Sequence, residues 1–128
     1  MTGGAAALYA VDVPRVARFY EAVAGLAVTE TQAGYIVVES IDFELAIVEI
    51  PPLLATEIEV LSPPVRREDT PMKLAFFVPS IAEARASAAT LGGIVDPVER
   101  EWEFRGHRIC DGYDPEGNVF QLREPVTD

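Results

Sequence analysis

The chain carries one histidine and one cysteine, His107 and Cys110, three positions apart, with Glu101 and Glu103 shortly before them. These are the residue types that hold zinc and related divalent ions. In a strand, positions three apart point to opposite faces, so His107 and Cys110 do not converge. Glu101 and Glu103 share a face, the ordinary arrangement of a solvated strand. A single cysteine also excludes an intrachain disulfide and a thiolate cluster. More informative is Asp114-Pro115-Glu116-Gly117-Asn118, followed by Val119-Phe120-Gln121-Leu122-Arg123. Pro115 presets the φ of a tight turn, and Gly117 and Asn118 tolerate the bend that leaves it. Phe120 and Leu122 then alternate with Val119, Gln121 and Arg123, so the turn hands the chain into a strand with two unlike faces. Gln121 points away from Phe120 and Leu122, and what it looks at decides the function.

The elements that position this strand follow a repeated pattern. Ala5 to Ala10 reads as a buried strand. Asp12 stands where a helix N-cap would, with Pro14 in the first turn. Val13, Val16, Ala17, Tyr20 and Val23 follow at helical spacing, and Gly25 stops the helix. Strands are expected at 27–30, 35–39 and 43–50, separated by Gln32-Ala33-Gly34 and Ser40-Ile41-Asp42. Residues 51–70, with Pro51-Pro52, Pro63-Pro64 and a polar end from Arg66 to Thr70, read as a linker containing a turn or a short strand. Met72 to Val78 is then a strand again. Ser80 caps a second helix, Glu83 completes a capping box, and Gly92-Gly93 end it. Strands follow at 94–98, with an extension to Phe104, at 107–113 and at 119–123.

An offset of 68 carries Asp12 onto Ser80 and Gly25 onto Gly93. The repeat is one of pattern and not of side-chain identity. Its content is an α+β fold of two βαβββ modules in a single domain spanning 1–128: module one at about 1–50, the linker at 51–70 and module two at 71–128.

With 128 residues, 49% apolar and 24% charged, the chain is long enough for one core without staples. Its net charge of −11 makes nucleic acid and anionic membrane surfaces poor partners and would draw in cations. The N-terminal Met1-Thr2-Gly3-Gly4 has no basic region, and no apolar run approaches ~18 residues. The expectation is a cytoplasmic protein without a membrane span.

The turn motif, a polar residue three positions after it, two such modules and Phe19-Tyr20 in the first helix together resemble the vicinal oxygen chelate superfamily. Glyoxalase I, the bleomycin-resistance proteins, the fosfomycin-resistance enzymes and the extradiol, ring-cleaving dioxygenases belong to it. The resemblance covers essentially the whole chain. It implies a curved mixed sheet around a cavity, helices on the convex face, and a homodimer in many members. It also implies a divalent metal in the enzymes, held by the first and last strand of each module. The matching positions here are Ala5, Glu49, Lys73 and Gln121. Ala5 has no donor atom, and the Lys73 ammonium has no lone pair. Gln121 offers only a neutral carbonyl. The donor set predicts no metal and no cofactor, and with them no residue in the family's catalytic role.

Strand alternation then gives the expected cavity. Lys73 brings Ala75 and Phe77 to it, Ala5 brings Ala7 and Tyr9, and Gln121 brings Val119 and Arg123. Glu49 would bring Ile47, Leu45 and Phe43. Trp102, Phe104 and Tyr113 add aromatic walls. The ligand-binding residues expected are thus Lys73, Glu49, Gln121, Tyr9, Phe43, Ile47, Phe77, Trp102 and Tyr113, with Lys73 paired to Glu49 or facing an anionic ligand. Such a pocket suits a small organic molecule. In metal-free bleomycin-resistance relatives an acidic dimer sequesters a cationic drug, and that is the function the resemblance implies. The alternative is a metal-dependent lyase or dioxygenase using a degenerate site.

Overall fold

A computed structural model describes residues 3–56, 58, 60 and 62–126. After strand β1 (Gly4–Ala10), Asp12 turns the chain into helix α1 (Val13–Val23). Its side chain accepts a hydrogen bond from the Arg15 N–H, and Pro14 sits in the first turn, where no donor is needed. Val16, Ala17, Phe19, Tyr20 and Val23 form the buried stripe of α1. Gly25, at φ 70°, releases the chain into β2 (Ala27–Gln32), β3 (Tyr35–Glu39) and β4 (Phe43–Glu49). β4 lies between β3, antiparallel to it, and β1, parallel to it, so the sheet order is β1-β4-β3-β2.

The linker opens with a one-turn helix, α2 (Pro52–Ala55), where a turn or strand was expected. Residues 57, 59 and 61 of that expectation lie outside the described residues. Its far end is fastened to the second module: the Arg67 N–H donates to the Gly117 carbonyl, and Arg66 Nη1 lies 2.7 Å from Asp96 Oδ1.

The second module repeats the order with β5 (Leu74–Phe77), α3 (Ile81–Thr90), β6 (Ile94–Val95), β7 (Trp102–Phe104), β8 (His107–Tyr113) and β9 (Val119–Pro125). Ser80 caps α3 by accepting from the Glu83 N–H. The strand expected over 94–104 is two strands, because Pro97, which cannot donate to the ladder, starts a 3-10 turn over Val98–Arg100. β6 and β7 both pair with β8, and β9 is parallel to β5, giving β5-β9-β8-β6. The chain therefore adopts two βαβββ modules whose strands make a four-stranded and a five-stranded mixed sheet.

One core serves both sheets. Phe19 and Tyr20 of α1 meet Phe120 of β9 with ring centroids at 5.7 and 5.8 Å. Tyr20 and Phe43 both meet Phe76 of β5, at 5.6 and 5.8 Å. Such aromatic pairs add about 1 kcal/mol each beyond their buried area. The Asp114–Asn118 turn locks the modules further. Asp114 is fully buried; its Oδ1 accepts from the Glu116 and Asn118 N–H groups, and its Oδ2 accepts from the Tyr20 hydroxyl at 2.8 Å. The Glu116 carboxylate reaches the other module and accepts the N–H groups of Val11 and Asp12 at 2.8 and 2.7 Å. Burial pushes the Asp114 carboxyl up, against the hydrogen bonds that favour its charge.

Candidate functional site

Because β-strand side chains alternate, packing α1 and α3 on one face of each sheet leaves the other face open. On the second sheet this open face is built in rows by the strand register. Phe77, Arg123, Ile109 and Trp102 stand side by side across β5, β9, β8 and β7. Ala75, Gln121 and Asp111 form the row on one side of it, and His107 and Phe104 lie on the other. Phe77, Phe104 and Trp102 are 66%, 50% and 42% exposed, which is unusual for side chains of their size.

A chain of polar contacts crosses this face. Lys73 Nζ lies 2.8 Å from Asp111 Oδ2, Gln121 Nε2 donates to Asp111 Oδ1 at 3.4 Å, and Arg123 Nε donates to Gln121 Oε1 at 2.9 Å. The Arg123 guanidinium carbon sits 5.9 Å from the Phe77 ring centre and 5.6 Å from that of Phe104. Arg66 lies over Tyr113 at 5.7 Å. Lys73, Gln121 and Phe77 thus share one face, as the alternation implied, and the strand register sets Trp102 and Tyr113 on it with them.

The first sheet's open face is different. Ala5, Ala7 and Tyr9 of β1 stand beside Glu44, Ala46 and Val48 of β4. Beyond them lie Glu39, Val37 and Tyr35 of β3, and then Glu30 of β2. The face is small-chained and acidic, with Tyr9 60% exposed.

Three expected residues are not on it. Ile47 is fully buried under the helices, and Phe43 packs on Phe76 in the core. Glu49 continues their face at the end of β4 and lines a separate cavity of about 290 Å³ with Asp12, Tyr35 and Ile36. The expected Lys73–Glu49 pair is therefore replaced by Lys73–Asp111. The physical reason lies in β4 itself: its larger apolar side chains, Phe43, Leu45 and Ile47, take the core-facing positions, and Glu49 shares their parity.

Register also relocates the matching metal position. Ala75 pairs with Gln121 in the second sheet, and its equivalent Ala7 pairs with Ala46 in the first. The four positions that would hold a metal are then Ala5, Ala46, Lys73 and Gln121. Two are methyl groups, one is an ammonium paired with a carboxylate, and the fourth has its carbonyl engaged by Arg123. This donor set does not fit a divalent ion. Among the described residues, no three His, Cys, Asp or Glu side chains converge on a common point suited to a metal.

His107 and Cys110 do separate to opposite faces. His107 lies edge-on to Phe77 at 5.1 Å, and Cys110 is fully buried, its thiol pushed up by that burial and so kept protonated. Glu101 is occupied by Arg85 and Arg108. Sequence reasoning missed Asp111 as the partner of Lys73; strand alternation from His107 was the signal that could have found it.

The glyoxalase-like domain family matches residues 5–123. No curated protein sequence matches the chain. Among solved structures, a glyoxalase/bleomycin resistance protein/dioxygenase family enzyme from Burkholderia phytofirmans superposes with TM-score 0.71 at 16% identity, covering 95% of this chain and 97% of its own. The fosfomycin resistance protein FosX from Mesorhizobium loti gives 0.65 at 16% identity, with 98% and 92% covered. A bleomycin resistance determinant encoded on the transposon Tn5 gives 0.62 at 15% identity, with 99% and 100% covered. Among the described residues no helix is long and apolar enough to cross a membrane. With the family match running from β1 into β9 and the fold shared with these proteins, the chain belongs to the glyoxalase-like domain family.

Proposed function

We propose that this protein binds a small organic molecule, a drug among the possibilities, without a metal, on the open face that carries Lys73, Phe77, Gln121 and Arg123. The observation that supports this reading is the donor set at the family's metal positions. Ala5, Ala46 and Lys73 supply no lone pair to a cation, while the surrounding aromatic groups remain exposed. Exposed aromatic area beside a few fixed polar groups is the usual composition of a small-molecule site.

The protein acts in the cytoplasm in this reading, and as a homodimer. The two open faces are complementary in size: alanines line one, and large exposed aromatics line the other. A two-fold pair sets each face over its counterpart with the ligand enclosed between them. Light scattering of the purified protein checks this, and a monomer at micromolar concentration contradicts it.

Metal analysis of the purified protein, followed by titration with Ni(II), Zn(II), Mn(II) and Fe(II), tests the main reading. No stoichiometric metal and no shift in melting temperature are expected, while a melting screen of small organic molecules returns ligands. Tight one-to-one metal with a gain in stability would return the metal-dependent lyase or dioxygenase alternative.

A further inference from the structure

The ligand's chemical class is written in the surroundings of Arg123, given the binding site just described. The chain as a whole carries −11, which favours cations. Locally the sign reverses. The second open face presents Lys73, Arg123 and Asp111, the last already held by Lys73 and Gln121, and Glu68, which lines the same pocket as Lys73, is held by Arg66.

Arg123 is held on three sides. Gln121 Oε1 takes its Nε–H, and the rings of Phe77 and Phe104 flank its guanidinium. Among the described residues, no acceptor engages its two terminal nitrogens. A guanidinium fixed through Nε and by ring faces has lost its rotamer freedom before any ligand arrives. What it still offers is a planar fork of N–H donors, which matches the two oxygens of a carboxylate. Beside the fork lie the exposed rings of Phe77 and Phe104, and Trp102 stands two strands from Arg123 in the same cross-strand row.

We infer that the ligand is an organic anion, a carboxylate on a flat aromatic or unsaturated body, with its oxygens on Arg123 and its body against the exposed rings of Phe77 and Phe104. Gln121, the residue that replaces a metal-binding carboxylate in this family, then acts as a positioning residue: its amide fixes Arg123 where a glutamate would have drawn the guanidinium into an ion pair.

Trp102 is the chain's single tryptophan and gives an intrinsic reporter on this face. Phenylacetate, its neutral amide 2-phenylacetamide and the cation 2-phenylethylammonium are titrated against the intact protein, read by Trp102 emission and calorimetry. Phenylacetate is expected to bind at least about tenfold more tightly than either analogue, since it alone engages the charged fork through both oxygens. Arg123→Gln should abolish that preference while melting cooperatively, and Arg123→Lys, which keeps the charge without the fork, should fall between them. Equal binding of the three compounds, or an Arg123→Gln protein that keeps the preference, overturns the proposal. If none of the three binds while the broad screen finds neutral or cationic ligands, the ligand class is wrong and the binding reading stands. If the broad screen is also empty, the binding reading itself has failed.

Discussion

The Tyr20 hydroxyl donates to Asp114 Oδ2 across 2.8 Å, tying the first helix of one module to the turn that opens the last strand of the other. Both groups are buried, so nothing else in that space replaces the bond. Tyr20→Phe keeps the ring packing against Phe76 and Phe120 and removes only the donor. Hydrogen bonds to charged acceptors contribute ~1.5–3 kcal/mol, so a loss of about 2 kcal/mol is expected in chemical denaturation. A loss below a few tenths would mean the bond is idle.

Asp114 also sets a pH dependence. Burial raises its carboxyl above the ordinary range, so the folded protein holds this proton more readily than the unfolded chain. Its contribution to stability is therefore fully present below the usual carboxylate pKa and is lost as pH rises through the raised folded value. Asp114→Asn should remove that slope. Measured from neutral to mildly acidic pH, the wild type should gain stability relative to Asp114→Asn, and parallel curves would refute the assignment.

Glu116 holds two amides of the other module with one carboxylate, at Val11 and Asp12. A glutamine there presents one oxygen and one NH2, so one of the two backbone donors loses its partner. Glu116→Gln should cost about 2 kcal/mol and speed hydrogen exchange at Val11 and Asp12 well before global unfolding.

Two glycines with positive φ should differ sharply on substitution. Gly25, at φ 70°, has open space where a Cβ would go, so Gly25→Ala should cost only the ~1–2 kcal/mol of backbone strain. Gly117, at φ 85°, would place a Cβ 2.1 Å from the Val65 carbonyl oxygen, so Gly117→Ala must also push the linker off the turn. Comparison of denaturation midpoints checks the ranking, and equal costs would contradict the close approach.

Lys73 and Asp111 form an ion pair whose lysine side chain is 40% exposed. Solvent screens such a pair to below ~1 kcal/mol, so Lys73→Ala should leave the melting temperature nearly unchanged. A large loss without any ligand would instead make the pair a structural element.

Much of this architecture was legible in the sequence because it rests on local chemistry. Asp12, Ser80, Gly25 and the 3.6-residue stripes mark the helices, and the period of two assigns Lys73, Phe77 and Gln121 to one face. The errors arose where pairing across the sheet decides. Phe43 to Glu49 alternates cleanly, yet alternation alone does not say which face meets the helices. Matching Glu49 to the family's last-strand position brought Phe43 and Ile47 to the wrong side, and the Ala7–Ala46 register moves the position by three residues. Arg123 was placed on the right face, but its setting between Phe77 and Phe104 depends on three strands at once. Glu116 was read as part of a turn's shape; its reach to Val11 spans 105 residues, which no local pattern encodes.

The parallel pairing of each module's first strand with its last has a consequence for how the molecule is made. β5 lies at the edge of its sheet with β9 as its neighbour, so it has no partner until the final strand has been synthesised. Closing that long loop costs entropy before any contact repays it, which makes the pairing of β5 with β9 a late step in forming the second sheet. Lys73 and Phe77 arrive from one side of that closure, Gln121 and Arg123 from the other. The face that would hold a ligand is thus assembled in the same step that completes the sheet.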